Sequence, residues 1–252
     1  MKLLLAILLI FSFLGCSGKK PNNYNVFKTK DANNVENDYI QSINLVLKYK
    51  YKLDKRNPSG YNKKLSKRII EHIKASENII YLYTKKTRLT KYQDYLNLAF
   101  NTEKNIKHRN DYLILGLYKL LYSAYSAENF KMTALGYNME EIKKAHKNLQ
   151  ILQWKIKHTK DKNGKYLFLT WQNNWQVELL KKYHKTNRID YNGIKNLYYI
   201  KNGRESIFDP SNTSYELIID KILFLLEDSV SKTDMNAGEL FVEVVKASTM
   251  FI

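Results

Sequence analysis

The chain of 252 residues contains a single cysteine, Cys16, and only three prolines and nine glycines. With one thiol it can form neither an intramolecular disulfide nor a cysteine-based metal site, so its stability must come from packing. A chain of this length can bury a sizeable core without disulfides. Because proline and glycine are scarce, long stretches are free of the residues that interrupt helices.

Motifs of catalysis and metal binding are also missing. The five histidines are scattered, and none stands at the spacing of a metal-ligand pair such as HExxH. The sequence has no GxSxG segment, no glycine-rich phosphate loop and no paired carboxylates in an apolar setting. We therefore expect no metal, no cofactor and no catalytic residue. Because catalytic residues can converge from distant helices, this absence favours a non-enzymatic protein and leaves an enzyme as the alternative.

The N-terminus has the features of an export signal. Met1 and Lys2 precede an apolar stretch from Leu3 to Leu14 that only Ser12 interrupts. About twelve apolar residues are too few for a helix that crosses a hydrocarbon core roughly 30 Å thick. The stretch instead matches the apolar region of a signal peptide.

The residues at the end of this stretch, Phe13-Leu14-Gly15-Cys16, resemble the lipobox of bacterial lipoproteins. The resemblance implies that a signal peptide, residues 1–15, is removed after a diacylglycerol is attached to the sulfur of Cys16. It implies a lipid-anchored protein of the cell envelope. In lipoproteins of this kind, a residue other than Asp directly after the lipidated cysteine goes with sorting to the outer membrane, and this chain has Ser17 there. Whether the protein faces the periplasm or the cell surface is left open by the sequence. An ordinary signal peptide or an uncleaved anchor with a chance cysteine is the alternative.

Residues after the cysteine are polar, include Pro21 and several asparagines, and lack an apolar period. They predict that the lipidated Cys16 and a flexible tether occupy residues 16–34. A single helical domain is then expected over residues 35–252, because apolar positions recur there every three to four residues.

The apolar spacing predicts an all-α fold of about nine helices, arranged as an irregular helical bundle or an α-hairpin array. Breaks are expected at residues 57–60 and 161–164. Residues 165–171 (KYLFLTW) are assigned to a helix rather than a strand, because Trp171 and Trp175 continue the helical spacing. The predicted helices cover about residues 40–56, 65–85, 90–107, 111–130, 138–156, 166–185, 191–201, 213–231 and 235–251.

Three pairs of residues have the spacing of a capping box. In this motif the side chain of the first residue accepts the backbone N–H of the residue three positions later, whose own side chain accepts the N–H of the first. They are Thr90 with Gln93, Asn138 with Glu141, and Thr213 with Glu216. Each pair predicts that a helix begins immediately after its first member.

The formal net charge of +18 points to an anionic partner. Nucleic acid is not expected, because the protein is predicted to be exported. Membrane headgroups, an anionic polymer of the envelope, or a protein are the remaining partners. Lysine, asparagine, isoleucine and tyrosine are abundant while arginine is scarce, so an AT-rich genome is a competing explanation for part of the charge.

The charge is unevenly distributed along the chain. From Glu205 onward there are nine acidic residues and three lysines, whereas the preceding chain is strongly basic. We expect the acidic C-terminal helices to pack against the basic body and balance it. A separate acidic interaction surface is the alternative.

The most unusual local segment is WQNNWQVE, residues 171–178. Trp171 and Trp175 are four residues apart and share a helix face, with Asn174 and Glu178 beside them. Indole rings next to amides and a carboxylate suit a glycan or peptide ligand. These four residues are therefore the candidate ligand site, although two indoles that anchor the core are the favoured alternative.

The sequence leaves three functional hypotheses. The leading one is a membrane-anchored envelope lipoprotein that acts as a non-enzymatic binding or scaffold protein and presents a basic face to its partner. The second is an envelope glycan- or peptide-handling protein with a site near Trp171, Trp175 and Glu178. The third is a surface-displayed protein that binds a host factor.

Overall fold

The computed structural model describes residues 28–84, 87–129, 131–170, 173–188, 190–208 and 213–233. The signal peptide, Cys16, most of the tether and the helix predicted at 235–251 lie outside the described residues. The described residues form eight α-helices. The all-α class is confirmed, and the predicted count of about nine helices is close. The helices are α1 Lys30–Arg56, α2 Lys63–Lys74, α3 Tyr92–Ala99, α4 Arg109–Ala124, α5 Met139–His158, α6 Asn174–Thr186, α7 Tyr198–Lys201 and α8 Thr213–Thr233.

The four long helices α1, α4, α5 and α8 form the body of the bundle. Helix α8 runs antiparallel to α1, since Lys232 contacts Asp38 near the start of α1 and the Tyr215 hydroxyl donates to the carbonyl of Lys52 near its end. Helix α8 is also antiparallel to α5, and α4 is antiparallel to α1. The bundle therefore has two ends. At the Arg56 end, α1 and α5 finish and α4 and α8 begin, and the Lys30 end lies opposite.

The core is built around α4, whose sequence is apolar on nearly every side. Its residues 113–118 and 120–121 are all buried. Gly116 lies against Leu96 of α3, so closely that a Cβ at this position would be 2.5 Å from the Leu96 Cδ2 atom. A larger residue would push the two helices apart, which explains the glycine in this helix.

Helix α1 begins four residues before the end of the predicted tether at Asn34. The Thr29 side chain accepts a hydrogen bond from the backbone N–H of Ala32 (3.3 Å), and Ala32 is fully buried. The capping threonine and this buried alanine extend the helix into a segment whose polar composition had indicated a tether.

Helix α2 ends at Lys74, and the prediction that it continues to Lys85 was wrong. Ser76 adopts a left-handed conformation (φ 52°), and the N–H of Glu77 donates to the carbonyl of His72 at 3.0 Å. This arrangement closes a helix C-terminus without a glycine. An irregular segment follows and includes a short antiparallel hairpin of β1 Tyr83–Thr84 and β2 Thr87–Arg88.

The prediction of a helix over residues 165–171 was also wrong for its described part. The Asp161 carboxylate accepts the N–H groups of Asn163 and Lys165, which turns the chain sharply. The N–H of Leu167 then donates to the carbonyl of Thr159 (3.0 Å), and that of Leu169 to the side chain of Asn57 (2.9 Å). These contacts hold the segment extended across the Arg56 end.

Other helix ends differ from the predictions in detail. The cap of Asn138 on the N–H of Glu141 is confirmed at 3.2 Å. Helix α3 begins at Tyr92, one residue later than the Thr90 and Gln93 pair predicted. Helix α4 stops at Ala124, before a left-handed Ser126 (φ 44°), and does not continue to residue 130. In the segment predicted helical over 191–201, the α-helix is limited to its last four residues.

Candidate functional site

The two ends of the bundle differ in charge. Residues 48–74, which form the last third of α1 and all of α2, contain ten lysines and arginines against Asp54 and Glu71. At the same end, residues 155–165 contain five lysines against Asp161. At the Lys30 end, residues 28–40 contain two lysines and three acidic residues. Positive charge is thus concentrated around the Arg56 end and along α2.

A buried ionic network lies beneath this basic surface. The side chain of Lys50 is fully buried, and its Nζ lies 2.9 Å from Asp54 Oδ2 and 2.8 Å from Asp111 Oδ1. Burial raises the pKa of Asp111, and the ammonium group of Lys50 opposes this shift. The network joins α1 to the start of α4.

The remaining carboxylate oxygens of the network are also satisfied. Asp54 accepts hydrogen bonds from Asn110 Nδ2 (3.1 Å) and Ser66 Oγ (3.0 Å), and the second oxygen of Asp111 accepts the N–H of Asn62 (3.0 Å). Buried charges are tolerated when each is paired and hydrogen-bonded, as here. The network therefore fixes α1, α2 and α4 relative to one another.

Next to the network, α1 and α2 border an open groove of about 600 Å³, which we call the α1–α2 groove. Asp54 and Ser66 of the buried network line it together with exposed cationic and aromatic side chains. Tyr51 contributes a ring that is 52% exposed. The lining residues are Tyr51, Asp54, Lys55, Tyr61, Lys63, Ser66, Lys67, Ile70, Glu71 and Lys74.

Most cations around the groove have no acidic partner. Within the described parts of the chain, no carboxylate lies within 4.0 Å of the side-chain nitrogens of Lys55, Lys63, Lys64, Arg68 or Lys74. Lys67 has a weak pair with Glu71 at 3.9 Å, and both side chains are strongly exposed. The groove therefore presents a row of cations that remain available to an external anion.

The position of two of these lysines is unfavourable for the helix. Lys63 and Lys64 are the first two residues of α2, and the first turn contains no acidic residue. The positive end of the helix dipole lies at this terminus, so a cation there lowers helix stability. By contrast, Lys55 and Arg56 in the last turn of α1 favour their helix. The fold itself gives no reason for the charge at the start of α2.

The acidic helix α8, in contrast, is balanced within the fold. Glu216 pairs with Lys157 of α5, and Glu227 lies 3.0 Å from His146, which is also on α5. Gln153 donates to Asp220 at 2.6 Å. Three of the four carboxylates of α8 thus contact α5, which supports the expectation that the acidic C-terminal region packs against the basic body.

The predicted ligand segment is involved in internal contacts. Trp171 lies outside the described residues. Asn174 accepts a hydrogen bond from Arg56 and donates one to Glu205, whose second oxygen accepts the N–H of Trp175 at 3.0 Å. The Trp175 side chain is 8% exposed, and Glu178 pairs with Lys182 at 3.4 Å.

The structure therefore brings Asn174, Trp175 and Glu178 to the Arg56 end but gives them roles within the fold. Neither Trp175 nor Glu178 lines the α1–α2 groove, and neither lines any of three further grooves in the described residues, which lie between α5 and α8, α3 and α5, and α1 and α8. Arg56, which the sequence did not single out, joins this segment to α1. Burial lowers the pKa of its guanidinium.

One buried cation, Lys119, has no carboxylate partner among the described residues. Lys119 of α4 is 4% exposed, donates to the Asn78 side chain, and lies 4.4 Å from the centroid of the Tyr81 ring. Arg88 stacks over the same ring at 3.5 Å. Burial lowers the pKa of Lys119 to about 8, and the nearby Arg88 adds to the effect. These contacts attach the hairpin segment to the core.

The sequence predicted a basic face but not the residues that form it. The signal was the density of cations in residues 48–74 and two lysines at a helix start. Nothing in the sequence indicated that α2 packs antiparallel against α1. This packing places Tyr51 and Lys55 opposite Lys63 and Lys67.

Comparison of the chain with protein-family models, with curated proteins and with solved structures finds no match. Among the described helices, none is both long enough and apolar enough to cross a membrane. The described residues also contain no cluster of three histidine, cysteine or acidic side chains arranged to hold a metal ion.

Proposed function

We propose that the mature chain is a non-enzymatic, lipid-anchored protein of the bacterial envelope that binds an anionic partner through the α1–α2 groove. The observation that supports this proposal is the row of cations along the groove, of which Lys55, Lys63 and Lys74 have no acidic partner in the described residues and Lys67 has only a weak one. One of them, Lys63, and its neighbour Lys64 lie in the first turn of α2, where a cation weakens the helix. A helix that keeps destabilising charge is best explained by a partner that uses it.

The geometry suits an anion with repeated charges. Lys63 and Lys74 are separated by eleven residues of helix, or about 16 Å at 1.5 Å per residue, with Lys67 between them. Tyr51 and Tyr61 on the groove walls supply rigid contact area with both apolar and polar character. We expect the interaction to be mainly electrostatic, and therefore to weaken as salt concentration rises.

Binding to polyphosphate and to polyglutamate of matched length tests the groove and separates phosphate from carboxylate partners. The triple variant Lys63→Gln/Lys67→Gln/Lys74→Gln should lose roughly tenfold or more in affinity, because rows of like charge raise local anion concentration by about that factor.

The matched control removes the same net charge from lysines that have acidic partners elsewhere. It is Lys143→Gln/Lys144→Gln/Lys182→Gln, whose lysines lie 3.2, 3.5 and 3.4 Å from Glu140, Glu141 and Glu178. The control should keep most of its affinity. Equal losses in the two variants would show that only net charge matters, and would exclude a groove-specific site.

The lipid anchor is a separate part of the proposal. Wild type and Cys16→Ala should be compared in the native host by fractionation, acylation and protease access on intact cells. We expect wild type to be acylated and membrane-bound, and the variant to be released or left unprocessed. If both behave alike as unanchored protein, the anchor is wrong and the groove must be considered without a membrane. Accessibility to protease would favour the surface-displayed form, in which an acidic face of a host protein occupies the same groove.

A further inference from the structure

The direction of α1 determines where the groove lies relative to the N-terminus. The described chain enters the bundle at Lys28 and immediately forms α1, whose 27 residues span about 40 Å at 1.5 Å per residue. The basic residues of the α1–α2 groove begin only in the last third of this helix. The α1 side of the groove and the start of α2 therefore lie at the opposite end of the domain from the entry point. The C-terminal end of α2 reaches the middle of the bundle, since the Tyr118 hydroxyl of α4 donates to the carbonyl of Glu77.

The entry point itself offers little attraction to an anionic membrane. Lys28 pairs with Glu36, and Asp38 pairs with Lys232 of α8 at 2.9 Å. Residues 28–40 contain two lysines and three acidic residues, so this segment has no excess of positive charge. At physiological salt the Debye length is about 8 Å, so headgroups near this end do not act electrostatically on the Arg56 end.

The basic segments are distributed around the Arg56 end rather than along one flank. Helix α2 packs on α1 and α4, whereas α5, whose C-terminus leads into the lysines of residues 155–165, packs on α8 and α4. If the domain lay with its α2 side against an anionic membrane, the lysines at the end of α5 would not touch the same surface. A partner that approaches the Arg56 end can meet both segments.

The linking chain is also short. Twelve residues, 16–27, separate the predicted lipid from the described domain, and a chain of that length spans at most about 40 Å when fully extended. This limit is close to the length of α1. Bringing the Arg56 end onto the anchoring membrane with α1 upright would therefore require a completely extended link.

From these observations we infer that the anchored protein presents its basic end away from its own membrane, so that its partner is an anionic polymer met on the far side and not the headgroups of the anchoring bilayer. This inference rests on the proposed anchor and groove. It assigns the protein a bridging role between its membrane and a polyanion.

The single cysteine makes the orientation testable. Protein lacking residues 1–15 can be attached through the Cys16 thiol to maleimide lipid, in vesicles of phosphatidylcholine alone or mixed with phosphatidylglycerol. Because the groove is then far from the bilayer relative to the Debye length, polyphosphate affinity should agree within about twofold between the two vesicle types. A loss of roughly tenfold on the anionic vesicles would overturn the inference, because it would mean that headgroups of the same membrane occupy the groove.

A control variant reverses the orientation. In Cys16→Ser/Ser59→Cys, the attachment point moves to the exposed turn after α1, at the Arg56 end. Anionic lipid should then compete with polyphosphate, and the absence of competition would overturn the inference. If unattached wild type does not bind polyphosphate at all, the proposed groove fails, and this result is distinguishable from a failure of the orientation.

Discussion

Two sets of charges lie side by side at the junction of α1 and α2, and they follow opposite rules. Beneath the surface, Lys50, Asp54 and Asp111 are buried, and every carboxylate oxygen has a partner. On the outer face, Lys63 and Lys67 are exposed and either lack an acidic partner in the described residues or have a weak one. The first set is explained by the fold and the second is not. Charges that the fold leaves unexplained are the better guide to function.

The largest expected effect comes from breaking the buried network. Asp111→Ala leaves Lys50 with one carboxylate and the N–H of Asn62 without its acceptor. Removing one partner of a buried ion pair costs about 3–5 kcal/mol, and we expect a loss of that size in the free energy of unfolding in urea. The matched change Glu140→Ala, at an exposed pair with Lys143, should cost less than about 1 kcal/mol. Similar losses in the two variants would contradict the comparison.

Lys119 sharpens the comparison, because it is buried like the network but has no carboxylate partner in the part of the chain that the structure describes. Its pKa in the fold is about 8, below the usual 10.5, so the unfolded chain binds more protons between these values. The free energy of unfolding should therefore rise by about 2 kcal/mol from pH 8 to pH 10. Denaturant unfolding of wild type and Lys119→Met over this range measures the difference. Parallel pH profiles for the two proteins would show that Lys119 is not responsible.

This experiment should stop at pH 10. Burial raises the pKa of Tyr39 and Tyr215 to about 12, above the usual value of 10. Stability from these neutral tyrosines is complete below pH 10 and declines as pH rises through the interval from 10 to 12. Above pH 10 their loss would oppose the gain from Lys119.

The segment around Trp175 should behave as part of the structure. Asn174→Ala removes the contacts with Arg56 and Glu205 and leaves half-buried polar groups without these partners. We expect a loss of about 1–3 kcal/mol in the free energy of unfolding, with polyanion affinity nearly unchanged. A large loss of affinity in a folded variant would instead revive this segment as a ligand site.

How much of this could be predicted from the sequence depends on the distance between partners in the chain. The spacing of apolar residues predicted the all-α class, and the Asn138 cap acts over three residues. The end of α2 was missed because Ser76 adopts a left-handed conformation that usually favours glycine. Local sequence gives little indication that a serine will adopt this left-handed conformation.

Contacts across the fold were beyond the sequence for a different reason. Lys50 and Asp54 are four residues apart and could be paired on a helix, but Asp111 is 61 residues from Lys50. Arg56 and Asn174 are 118 residues apart. The amides of residues 172–176 therefore suggested a ligand site, since nothing local indicated that Arg56 and Glu205 would occupy Asn174.

The smallest expected effect has an informative sign. Lys63→Glu places an acidic residue in the first turn of α2, where it should increase the free energy of unfolding by about 0.3–1 kcal/mol. The same change should weaken polyanion binding, because the row of cations is interrupted. Thermal unfolding and a binding titration on one sample measure both. A variant that is stabilised without loss of affinity would contradict a functional role for this end of α2.

The most direct test of the central claim, that the exposed cations of the α1–α2 groove form the binding site, is the salt dependence of polyphosphate affinity. Each cation that contacts a polyanion contributes about 0.7 to 0.9 to the slope of log affinity against log salt. Relative to wild type, the Lys63→Gln/Lys67→Gln/Lys74→Gln variant should show a slope smaller in magnitude by about 2 to 3. An unchanged slope in this variant would mean that the polymer binds elsewhere and would contradict the account.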